Sequence, residues 1–148
     1  YELNWLQWLL DTEVADIDGF RTKISSLEMD AEDIAIGTVQ MKNKVIGTIL
    51  IDVISRVPFR TLRLLGTDGV LEWEWQSHII RWYNPADQKW QKLKLPTGDT
   101  EKGYITVEDM YRQEIKDFLS AIKKKGSYPY TFAQDYQNVQ LIKKFRES

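Results

Sequence analysis

The stretch DIAIGTVQMKNKVIGTILIDVISR, residues 33–56, decides the fold. Its two halves, DIAIGTVQM and KVIGTILIDVISR, are rich in Ile, Val and Thr, residues whose branched side chains suit a pleated surface. They meet across Lys42-Asn43, a compact turn that predicts a β-hairpin. Working outward, VADIDGFRTKIS before it reads as a strand, joined through a polar connection from Ser25 to Asp33. After it, Pro58 interrupts the pattern, and having no N–H to give a ladder it belongs at a strand start or a bulge. FRTLRLLG then resumes the pattern, and Thr67-Asp68-Gly69 is a turn signal. In VLEWEW the period is two, with Leu71, Trp73 and Trp75 on one face and Val70, Glu72 and Glu74 on the other. HIIRWYN and KWQKLKL follow, separated by a turn at Asn84-Pro85-Ala86-Asp87. Strand candidates in such close succession imply an antiparallel meander.

Helical spacing flanks this β-rich centre. In YELNWLQWLLD, residues 1–11, Leu3, Leu6 and Leu10 form a stripe widened by Trp5, Trp8 and Leu9. Toward the other end Thr106 is an N-cap candidate with Asp109 three residues on, and Val107, Met110, Ile115, Phe118, Leu119 and Ile122 make a stripe that stops at Gly126. Thr131 with Gln134 starts a last helix, with Phe132, Tyr136, Val139, Ile142 and Phe145 on one side. The expected architecture is α+β: one domain over residues 1–148, an open, mainly antiparallel sheet with helices on one face. Strands such as VIGTILIDVI and HIIRWY are apolar on both faces, whereas a two-layer domain normally keeps one sheet face polar. The second face is therefore expected to be buried against another subunit or a further domain.

Composition narrows the function. The 148 residues carry a formal net charge of −2 with both signs interspersed, which offers no footprint for nucleic acid or an acidic membrane. The one basic run, Lys123-Lys124-Lys125, reads as a charge cluster favourable at a helix C-terminus. With no Cys, disulfides and thiol chemistry are excluded, which suits a reducing cytoplasm. No apolar run approaches the roughly 20 residues of a membrane span. A soluble, cytoplasmic protein is the expectation.

Few residues offer chemistry of their own. His78 is the single His, so this chain cannot supply a Ser-His-Asp triad or a multi-His zinc site, and the residue reads as a surface or half-buried strand His. Glu32-Asp33 and Glu72/Glu74 are acid–base candidates, though the second pair alternates with Trp as a solvated sheet face does. Asp16, Asp18 and Gly19 resemble part of a calcium loop that lacks the spaced ligands and terminal Glu. Gly66-Thr67-Asp68-Gly69 reads as a tight turn and not as a phosphate loop, because no helix N-terminus follows it. Arg56, Arg60 and Arg63 are expected to pair with Asp52 and the Glu residues across strands.

The order of the segments YELNWLQWL, MDAEDIA, GTILIDVISRVPFR and LLGTDGVLEW, then MYRQEI with FLSAI, and the closing helix from Thr131 to Ser148, resembles the C-terminal domain of the glucose-fructose oxidoreductase and inositol dehydrogenase (Gfo/Idh/MocA) family. It implies a parent enzyme with an N-terminal Rossmann domain that binds NAD or NADP and is absent from this chain. The present domain would bind substrate and form homo-oligomers through its sheet. The reaction implied is hydride transfer to or from a carbon of a sugar, cyclitol or related polyol.

In many members the proton-handling residue is the His of a His-Glu-Ile/Leu-Asp stretch on the first helix. Tyr1-Glu2-Leu3-Asn4 stands at that place, with Tyr1 for the His and Asn4 for the Asp. The resemblance therefore implies Tyr1 as the catalytic acid–base group and Asn4 as a substrate-binding residue, with no cofactor-binding or metal-binding residue in this chain. A phenol ordinarily titrates at about pH 10, so this role needs a neighbouring cation, which in the family is a Lys from the Rossmann domain. The other reading of Tyr1 is an ordinary helix-start residue, and that of the whole chain a non-catalytic assembly domain in which both substitutions mark lost chemistry.

Overall fold

A computed structural model describes residues 1–97, 109–124, 128 and 130–147. They form two compact units, Tyr1–Arg56 with Pro129–Ser148, and Val57–Tyr128.

The first unit is built from helix α1 (Glu2–Leu10), strands β1 (Val14–Thr22), β2 (Ile34–Met41) and β3 (Ile46–Asp52), and a closing helix, α3 (Phe132–Glu147). The strands pair antiparallel in the order β1-β2-β3. The predicted hairpin is present: Met41 N–H donates to the Val45 carbonyl at 2.8 Å, Lys44 N–H to the Met41 carbonyl at 2.9 Å, and Lys44 takes φ 70° to close the turn. Leu3 from α1, Val14 and Ile17 from β1, Val39 and Met41 from β2 and Phe145 from α3 make the core, with Leu10, Ile49 and Leu141 packed at its edge. The two helices thus cover one sheet face, as an α+β layer requires.

Two glycines let α3 approach. Gly19 and Gly37 are register partners on β1 and β2, and a Cβ on Gly37 would lie 2.7 Å from the Phe145 ring. The bare backbone there is the seat of that ring, an aromatic covering the gap that two facing glycines leave in a sheet. The opposite face carries a register row of Phe20, Ile36 and Leu50, all exposed, with Ile46 exposed beside it.

The second unit holds β4 (Thr61–Gly66), β5 (Gly69–Glu74), β6 (Ile79–Asn84), β7 (Lys89–Lys94) and helix α2 (Asp109–Lys124), its strands again antiparallel and in chain order. Gly69 opens β5 at φ 145°, and a Cβ there would lie 2.2 Å from the Tyr83 carbonyl oxygen, so the turn demands glycine.

Several expectations shift. The single meander is two sheets, because Asp52 takes the Ile54 and Ser55 N–H groups onto Oδ1 at 3.1 and 2.7 Å. That Asx turn folds the chain out of the ladder ahead of Pro58. His78 and Trp75 lie in the β5–β6 turn and not on a strand: His78 has φ 53°, donates its N–H to the Trp75 carbonyl at 3.1 Å and accepts from Leu95 N–H at 2.7 Å. In β6 the register sends Ile80 and Trp82 to one face and Arg81 and Tyr83 to the other, so that sheet has one charged face. On α1, Leu3 is buried, whereas Trp8 and Leu9 are exposed. On α3 the buried line is Asn138 and Phe145 with Leu141 beside it, while Phe132, Tyr136, Val139 and Ile142 are exposed. Thr106, Val107, Gly126 and Lys125 lie outside the described residues.

Candidate functional site

The start of α1 holds both residues singled out above. Tyr1 is the N-cap, its carbonyl accepting from Asn4 and Trp5 N–H at 3.0 and 3.2 Å. Its side chain makes no capping bond and is 98% exposed. Asn4 is also exposed and lies three residues along, which on a helix puts it on the same side as Tyr1. Glu2 stands between them and takes the indole N–H of Trp5. Tyr1 and Asn4 thus both stand exposed at the start of α1.

Behind Asn4 lies a polar cluster that the sequence pattern did not reveal. Asn138 of α3 is 7% exposed, yet every hydrogen-bonding group on its side chain is used. Its Oδ1 accepts from Gln7 Nε2 at 2.7 Å, and its Nδ2 donates to the Tyr130 hydroxyl at 3.1 Å and to Asn4 Oδ1 at 3.5 Å. Gln7 Oε1 in turn accepts from the Val14 N–H at 3.1 Å, and the Tyr130 hydroxyl donates to Asp135 Oδ1 at 3.1 Å. Helix α3 is launched by the capping box foreseen at its start, Gln134 N–H donating to Thr131 Oγ1 at 3.3 Å and Thr131 N–H to Gln134 Oε1 at 2.8 Å. The available signal was an Asn in helical register with Leu141 and Phe145, a polar group at a core-facing position that must find partners.

The remaining candidates have structural duties. Asp33, 1% exposed, accepts from Ile24 and Ser25 N–H at 2.8 Å each. The Ser25 hydroxyl, these amides and the nearby Lys23 charge hold its carboxyl below the usual carboxylate range against the opposing effect of burial. Glu32 pairs with Arg21 at 2.7 Å. Asp16 is tied to Lys144, which with the Ile17 N–H lowers its pKa. Asp52 is lowered by the Ser55 hydroxyl and N–H and by the Ile54 N–H, a backbone role in place of the expected arginine pairing. Glu72 lies between Arg63 at 3.5 Å and Arg81 at 2.7 Å, Arg81 also sitting 5.8 Å over the Trp90 ring. These charges line a shallow groove of about 520 Å³ with Thr61, Ser77 and Ile79.

Among the described residues no His, Asp and Glu side chains gather into a cation site, and no helix is long and apolar enough to cross a membrane. Gly66-Thr67-Asp68-Gly69 closes the β4–β5 hairpin, Gly66 facing Gly69 in the ladder, and no helix follows to present free N–H groups to a phosphate.

The whole chain, residues 1–148, matches the Gfo/Idh/MocA oxidoreductase family, C-terminal alpha/beta domain. The chain belongs to this family. Solved structures repeat the fold of this oxidoreductase domain at low identity. UDP-N-acetylglucosamine 3-dehydrogenase GnnA from Acidithiobacillus ferrooxidans is 15% identical with a TM-score of 0.73, over 99% of this chain and 44% of that one. An oxidoreductase from Agrobacterium radiobacter, solved in complex with NAD+, L-tartaric acid and magnesium, is 13% identical with a TM-score of 0.77, over 95% and 42%. The super-repressor mutant of Gal80p from Saccharomyces cerevisiae is 16% identical with a TM-score of 0.59, over 88% and 37%. The chain thus spans less than half the length of each of these three proteins. No curated protein matches it.

Proposed function

We propose that this chain is the substrate-binding and oligomerisation domain of a cytoplasmic NAD(P)-dependent oxidoreductase acting on a sugar, cyclitol or related polyol. The observation that carries the reading is the match of the entire chain to the oxidoreductase C-terminal domain family, with Tyr1 and Asn4 both exposed at the start of α1. The nicotinamide supplies hydride chemistry when bound, and membership of this C-terminal domain family supports an N-terminal Rossmann domain as its holder. Tyr1, its hydroxyl free of any capping duty, moves the proton of the substrate hydroxyl. Asn4 binds the substrate beside it, and α1 fixes the spacing between the two. The exposed row of Phe20, Ile36 and Leu50 is the surface that a second copy covers.

A second reading, a domain for assembly or regulation without chemistry, is favoured by one finding: a structural neighbour described as a super-repressor mutant. The two readings part in a hydride-transfer assay on the full-length protein, with NAD+ and NADP+ against a panel of sugars and polyols, followed by nicotinamide absorbance. Turnover that drops by about a hundredfold or more in Tyr1→Phe supports the enzyme and this role for Tyr1. Turnover unchanged in Tyr1→Phe removes Tyr1 from the chemistry, and no turnover with any of the panel favours the second reading.

A further inference from the structure

The amides around Asn138 form a chain whose direction is set at its origin. A backbone N–H can only donate, so Gln7 must turn its Oε1 toward Val14 and its Nε2 toward Asn138. Asn138 must then present Oδ1 to Gln7, which leaves its two N–H groups for the Tyr130 hydroxyl and for Asn4 Oδ1. Tyr130 can accept that bond because its own proton goes to Asp135. At the end of the chain Asn4 has its oxygen committed inward, and among the described residues its Nδ2 has no partner. A side chain that could present either a donor or an acceptor is thus turned to present a donor.

Resting on the oxidoreductase reading above, we propose that Asn138 is a positioning residue that holds Asn4 with its Nδ2 outward. The substrate group meeting Asn4 is therefore an oxygen with no proton of its own, the carboxylate of a sugar acid or the carbonyl of an N-acylated sugar. A hydroxyl can also accept from Nδ2, but its proton then needs a second acceptor, which Asn4 does not offer. Asn138→Asp reverses the chain at its last link. A carboxylate at that position has no proton to give: it accepts from Gln7 Nε2 and from Asn4 Nδ2, and from the Tyr130 hydroxyl only if that proton leaves Asp135, so Asn4 turns its oxygen outward.

The test is made on the full-length protein loaded with whichever of NADH and NADPH it binds. Dissociation constants are measured for D-glucuronate, N-acetyl-D-glucosamine and D-glucose. Glucuronate and N-acetylglucosamine separate the carboxylate from the acyl carbonyl, and at least one should bind about tenfold more tightly than glucose, the worth of one hydrogen bond to a matched acceptor. Asn138→Asp and the exposed-site variant Asn4→Asp should both bring that ratio to one or below. The ratio is the telling quantity, because a merely structural loss would weaken all three sugars alike. Equal or weaker binding of both acceptor sugars in the wild type, no binding of any of the three, or a ratio preserved in Asn4→Asp overturns the inference while leaving the oxidoreductase reading in place. Failure to bind either nicotinamide defeats that reading, and this inference with it.

Discussion

Asp33 shows how a single side chain organises a connection that has no regular structure. Both carboxylate oxygens are spent on successive backbone amides, Ile24 and Ser25, so the polar segment after β1 is tied back to the start of β2. Its carboxyl is held below the ordinary range, by the Ser25 hydroxyl first. A carboxylate depressed in the folded state contributes stability that is in place above its unfolded pKa of about 3.9 and is lost as pH falls through the folded value. Stability measured by urea unfolding should therefore decline as pH is lowered below about 4, and decline less steeply in Asp33→Asn. An identical acid profile in the variant would mean that the carboxylate is not the coupled group. The sequence offered Asp33 as an acid–base candidate, and what redirects it is burial against two amides nine and eight residues earlier. No spacing rule carries that contact, just as none carried the bonds from Asn138 to Gln7 and Asn4 across more than a hundred residues.

Among the elements, α3 packs on β1 and β2 through Phe145. Phe145 is buried over the backbone of Gly19 and Gly37, so truncation to Phe145→Ala opens a cavity that the flat glycine surface cannot fill. The expected cost is about 3–5 kcal/mol. Gly37→Ala errs the other way, driving a methyl to 2.7 Å from the ring and 2.8 Å from the Asp18 carbonyl oxygen, at roughly 1–3 kcal/mol. Denaturant midpoints check both, and a neutral Gly37→Ala would show that the ring does not sit where described. All seven strands were legible in the sequence because β-branched runs and turn residues are local signals. So was the start of α3, where the Thr131–Gln134 capping box spans three residues. The buried side of α3 was not legible: its apolar stripe of Phe132, Tyr136, Val139 and Ile142 points away from the core, and an Asn takes the inward position because α1 supplies its partners. The break between the two sheets was likewise hidden, since it follows from Asp52 capping Ile54 and Ser55 and not from any loss of β-propensity.

For the whole molecule, assembly and chemistry make separate demands. The Phe20–Ile36–Leu50 row is an apolar strip on the exposed face of the first sheet, and the proposal made above is that a second copy covers it. Leu50→Glu would set a charge in that interface. Sedimentation of the full-length protein should then show the smaller species, whereas an unchanged mass would remove this face from the assembly. The chemistry proposed above requires a nicotinamide bound by a Rossmann domain. The most direct test of the account is therefore a titration of the full-length protein with NADH and NADPH, followed by nicotinamide fluorescence, with the 148-residue chain as control. Saturable binding by the full-length protein, with none by the chain alone, is the expected result. Absence of binding by both would contradict it and leave an α+β assembly domain of the oxidoreductase family without the chemistry.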